Sequence, residues 1–164
     1  MLAMIYNQTS AQELINIRST IAHLEPLKNL LSDVRQEMNK IASHTNDKGM
    51  RGSLLNFVSE TGACEEQINS YITSLLHVFP VEEVKPLSAR QLMGPLFDCP
   101  FDCAKTYEKK IVKHFRVTIN DYKVIREIRE LMKSLLNEVL YSFLKIRMLS
   151  SFSVKELRAE SNLF

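Results

Sequence analysis

The six residues DCPFDC at 98–103 hold two of the three cysteines in a chain of 164. Thiolates are soft metal ligands, so Cys99 and Cys103 are the first candidates for a metal clip, with Cys64, His77 or His114 completing a tetrahedron. The spacing is CxxxC, whereas structural zinc sites draw on CxxC pairs, and no second pair follows. A redox pair would want CxxC beside a βαβ unit, and neither is present. A turn between helices accounts for the residues one by one. Pro100 keeps Cys99 out of the helical region, Phe101 anchors the loop, and Asp102 is a good N-cap for a helix over 103–116. The stretch therefore reads as a helix–helix junction, its cysteines small buried apolar residues, and no cofactor is expected.

Charge supplies the second candidate chemistry. Residues 105–133 hold nine Lys or Arg against four Asp or Glu, while 1–104 hold eight against twelve; the whole chain carries +2. Lys105, Lys109, Lys113 and Arg116 fall within one quadrant of a helical wheel, opposite Ala104, Tyr107, Ile111 and Phe115. Arg126, Arg129 and Lys133 extend this ridge if the next helix packs alongside. Such a surface suits a phosphate backbone, an acidic protein or anionic head groups. It is also what a solvated helix face looks like. No aromatics interleave the lysines, and no glycine-rich cradle or zinc-finger pattern accompanies them.

Acid–base chemistry has little to work with. GxSxG, HExxH, GxxxxGK[ST] and GxGxxG are all missing. Glu65-Glu66 and Glu82-Glu83 are sequence neighbours, so on a helix they point apart. Of the four histidines, His44 falls in a polar loop and His23, His77 and His114 fall on helices. Arg18-Ser19-Thr20-Ile21-Ala22-His23 fits an R-x4-H spacing that resembles the catalytic motif of the HEPN family of small helical ribonucleases. That resemblance implies cleavage of RNA by the arginine and histidine of two protomers meeting across a dimer. The family's motif usually lies in a late helix, whereas this one lies in the first.

The elements that must position these groups are helices. Four Gly and five Pro are too few for an all-β chain, which turns every ten residues or so. Ser10-Ala11-Gln12-Glu13 matches a capping box for a first helix, and Pro26 suits the first turn of a second. SHTNDKGMRG (43–52) reads as a loop, and Ser53 opens a third segment that Gly62 kinks or splits. FPVEEVKPLS (79–88) is the long connection, followed by a capping box at Ser88–Gln91 and a short helix through Phe97. RVTIND ends the 103–116 helix. The longest helix then spans about 120–148, on Ile125, Ile128, Met132, Leu135, Val139, Ile146 and Leu149, with Ser142 in the one polar slot. Leu131, Leu136, Leu140 and Phe143 widen its stripe beyond a coiled-coil seam. Ser153–Glu156 opens a tail helix.

The expected fold is all-α: an antiparallel bundle of four to six helices, the 120–148 helix at its centre. It forms a single α-helical domain over 1–164, with 1–9 and 150–164 at its periphery. No run of eighteen apolar residues spans a membrane, and the N-terminus lacks the basic start and cleavage site of a signal peptide. An odd cysteine count fits a reducing compartment, so an intracellular, cytoplasmic location is expected. The function expected is a non-catalytic protein-interaction module (adaptor, regulator or assembly subunit), its partner another protein or its own copy through helix packing. Met4, Met38, Met50, Met93, Met132 and Met148 offer an adaptable contact surface or core filler. Nucleic-acid binding through 105–133 and a HEPN-like ribonuclease using Arg18 and His23 are the alternatives. No small-molecule substrate is evident.

Overall fold

The structure, a computed structural model, describes the backbone of residues 2–78 and 96–162 and the side chains of 11–78 and 96–151. These residues form four α-helices and no strand: α1 (Leu2–Ser43), α2 (Lys48–Val78), α3 (Pro100–Asn120) and α4 (Arg126–Asn162).

α1 overturns two of the expected boundaries. It is one helix of 42 residues that runs through Ser10–Glu13 without starting there and carries Pro26 inside it. An interior proline costs a helix about 3 kcal/mol. Against that, Leu24, Leu27, Leu31, Val34 and Met38 are fully buried and keep the three–four rhythm across Pro26. Each such side chain contributes roughly 1.5–3 kcal/mol on burial, so the continuous stripe outweighs the break.

The following turn is 44–47, shorter than the expected loop. Asp47 Oδ1 accepts the Gly49 and Met50 N–H groups at 2.8 and 3.2 Å, which caps α2 at Lys48 rather than Ser53. Gly62 neither kinks nor splits α2. A Cβ there would sit 3.4 Å from Arg35 Cδ, so the glycine makes room for the arginine that crosses from α1 to Glu65 (2.8 Å).

The proposed connection over 79–88 and the Ser88–Gln91 box lie outside the described residues, and Leu96 and Phe97 are not helical. α3 begins earlier than expected: Cys99 is its extended N-cap, Pro100 stands in the first turn, and Asp102 is inside that turn. It also ends later. Thr118, fully buried, satisfies its hydroxyl on the His114 carbonyl (2.8 Å), so the β-branched run 117–119 stays helical because its inner side is buried. α4 continues to Asn162 with no break at Ser153.

Cross-contacts fix the topology. Lys28 meets Asn69 and Arg35 meets Glu65, so α2 runs antiparallel to α1. His23 meets Asp121 while Glu37 meets Leu96, so α3 also opposes α1. Cys64 meets Glu138 and Glu60 meets Ser142, so α4 opposes α2. The order is up, down, down, up, and Val78 and Pro100 lie at opposite ends of the bundle. α1 packs on α2 and α3, and α4 packs on the same two. α4 is therefore one corner of four, not a central helix. One buried cluster joins all four helices, with Phe115, Phe143, Leu24 and Met132 among its largest members. No helix among the described residues is long and apolar enough to cross a membrane.

Candidate functional site

Alternation of buried and exposed residues along α3 aims its basic ridge outward. Cys103, Ala104, Tyr107, Ile111 and Phe115 are buried, while Lys105, Lys109, Lys113 and Arg116 are exposed. Those four cations line one side of an open groove of about 1050 Å³ between α3 and α4. Val112, Val117 and Leu140 supply apolar lining, Tyr122 stands at one end, and Arg147 comes from α4.

Two carboxylates also line this groove, and both are already engaged. Glu108 pairs with Arg147 at 3.4 Å. Asp121 Oδ1 accepts the Lys123 N–H at 2.9 Å, and Oδ2 takes His23 Nε2 at 2.8 Å. A carboxylate only accepts, so Nε2 carries the proton. The Lys123 N–H and then the His23 hydrogen bond hold the Asp121 carboxyl below its ordinary value. Lys105, Lys109, Lys113 and Arg116 have no ion-pair partner among the described residues. The groove thus presents four cations without an ion-pair partner beside its apolar lining, and five cations in all against two carboxylates.

The other ridge candidates do not line it. Arg126 is exposed, Lys133 pairs with Glu130 at 3.0 Å, and Arg129 Nε is buried without an acceptor. Arg126 and Lys133 do share a register with its α4 wall: Arg126, Lys133, Leu140 and Arg147 recur every seven residues, drifting only about 20° per step. That interval was the sequence signal for Arg147, which charge counting over 105–133 left out. Leu140 was counted with the core stripe, and only its half-exposed edge reaches the groove.

His23 has a second neighbour in its work. Thr20, fully buried, donates to the Asn16 carbonyl (2.7 Å) and accepts the Ile125 N–H (3.0 Å). Thr20 and His23 together fasten the 121–125 turn to α1, with Val124 plugged into the core. Arg18 is exposed and stands about 140° round the helix from His23. The histidine of the R-x4-H motif is bound to Asp121 of its own chain, away from that arginine.

Cys99 and Cys103 flank the start of α3, and no group of three His, Cys, Asp or Glu suited to a metal ion occurs among the described residues. Glu37, 5% exposed, accepts the Leu96 N–H at 2.8 Å and so ties the approach to α3 onto α1. Burial, and then the Glu37 charge, push the Cys103 thiol up to about 12; burial, and then Glu138, do the same for Cys64. A thiol that stays protonated is a poor nucleophile. Native protein at pH 8 is expected to react with one equivalent of Ellman's reagent, at half-exposed Cys99, and with three in urea. Fast labelling of all three in the native state would contradict this burial.

A polar cluster closes the α2–α4 seam: Glu60 takes an ion pair from Lys145 and a hydrogen bond from buried Ser142. Burial alone would raise the Glu60 carboxyl, but the Lys145 and Ser142 bonds and the Lys145 charge outweigh it and hold it low. A folded carboxyl below its unfolded value adds stability above the unfolded value, and loses it as the pH falls through the folded one. The bundle is therefore expected to lose stability to urea below about pH 4.5 through Glu60 and below about pH 3.8 through Asp121. Glu60→Gln should flatten the first part of that decline; an unchanged profile would remove Glu60 as a contributor.

Comparison of the chain with family models, with characterised proteins and with solved structures gives no match, so function is argued from this geometry alone.

Proposed function

We propose that this protein is a helical protein-interaction module whose α3–α4 face receives an anionic surface of a partner. The observation that carries this reading is the imbalance in the groove. Four cations there lack a partner, while both lining carboxylates are taken up within the chain. Unpaired like charges standing in a row repel one another, and a complementary partner relieves that repulsion while steering encounter. The groove is also open to solvent, whereas a small-molecule site usually encloses most of its ligand.

The test is binding of fluorescent polyglutamate, followed by anisotropy in low and high salt. Wild type should bind, more weakly as salt rises, and Lys109→Glu/Lys113→Glu should weaken binding about tenfold or more. Both lysines are exposed, so the variant should keep its helical circular dichroism. Equal binding by wild type and variant would sink the reading. Duplex DNA runs alongside as the competing occupant. Preference for DNA at equal charge and salt would turn the assignment to nucleic acid.

A further inference from the structure

We infer that the occupant of the α3–α4 groove is an acidic amphipathic helix of a partner protein, lying along α3. This rests on the interaction reading above and names the partner's chemistry. Three observations carry it.

The first is pitch. Lys105, Lys109, Lys113 and Arg116 are spaced by four, four and three residues, or about 6, 6 and 4.5 Å along the axis. A second helix with carboxylates at the same intervals meets every cation in one register, because both helices rise at the same rate. The second is the floor. Val112, Val117 and Leu140 lie beside the cations, and Tyr122 stands 78% exposed at one end. Phosphate backbone gains nothing from such a surface, whereas an amphipathic helix has an apolar edge next to its acidic one. The third is length. The lining runs from Lys105 to Tyr122, about 25 Å, which matches a helical segment of roughly four to five turns.

The experiment is a selection. A displayed library of helical peptides of about 17 residues, randomised on one face, is enriched on the full chain and counter-selected on Lys109→Glu/Lys113→Glu. The expected winners carry Asp or Glu at i, i+4, i+8 and i+11, or at i, i+3, i+7 and i+11 if the peptide runs the other way, with Leu, Ile or Val on the adjoining edge. Val117→Ser/Tyr122→Ser, both exposed positions, should then weaken a winning peptide about tenfold and polyglutamate binding by much less. Winners without that acid–apolar register, or peptides indifferent to Val117→Ser/Tyr122→Ser, overturn the inference. If polyglutamate still depends on Lys109 and Lys113 in that case, the interaction reading stands and the groove takes any polyanion. If neither probe depends on those lysines, both fall together.

Discussion

Replacing Phe143 with alanine is expected to cost the fold about 3–5 kcal/mol. The ring is fully buried at the α2–α4 seam and meets Phe57 edge-on, centroids 5.0 Å apart at 65°. Edge-to-face geometry adds about 0.5–1.5 kcal/mol to what burial alone provides. Phe57 on α2, and Val139 and Ile146 one turn to either side on α4, are themselves buried in the close-packed core, which limits how far they can move to fill the space. The check is urea unfolding, where the midpoint should fall with the slope unchanged. Tyr141→Ala is the control, two residues away on the same helix but 62% exposed, and should cost no more than about 1 kcal/mol, the Lys145 contact over its ring included. Equal effects at the two positions would mean that α2 and α4 are not packed as described.

Pro26→Ala is expected to move stability the other way, by about 2 kcal/mol. Alanine restores the N–H that can bond to the Ala22 carbonyl and removes the ring from the path of the helix, a gain of about 3 kcal/mol. The unfolded chain becomes freer, which takes back up to about 1 kcal/mol. Pro26 itself is exposed, so the substitution removes no core contact. A raised urea midpoint, with slower amide exchange over the turn around residues 22–30, is the expected result. A loss of stability would show that α1 needs the backbone geometry Pro26 imposes so that Leu24 and Leu31 can both reach the core.

These two positions also show what the sequence does and does not disclose. Phe143 was legible, since the α4 stripe of Ile128, Met132, Leu135, Val139 and Ile146 repeats with helical spacing and all five are buried. Pro26 was misleading because local preference was weighed without the stripe that passes through it. The α2 start was missed for a similar reason: SHTNDKGMRG looks like loop by composition, yet Asp47 needs only two N–H groups to begin a helix there. In the candidate site, the α3 ridge was visible because one helix carries it. The α4 side was only partly so. Arg126 and Lys133 share a seven-residue interval with Leu140 and Arg147, but only the last two reach the groove. Pairings between distant segments, such as His23 with Asp121 and Glu108 with Arg147, left no mark in either segment alone. Without those pairings, the groove's charge balance cannot be read from the chain.

The up, down, down, up order has a consequence for how the chain assembles. α1–α2 and α3–α4 are each joined by a turn of only a few residues, 44–47 and 121–125, so each pair can zip up by itself at small cost in chain entropy. Joining the pairs requires contacts far apart in sequence, such as Thr20 with Ile125 and Glu60 with Ser142. Such distant contacts form slowly, because loop closure comes before any reward. The barrier to folding should therefore sit at the meeting of two preformed hairpins. Until they meet, each leaves one apolar side open to water, and the Thr20–His23 fastening of the second turn becomes the latch that completes the native state.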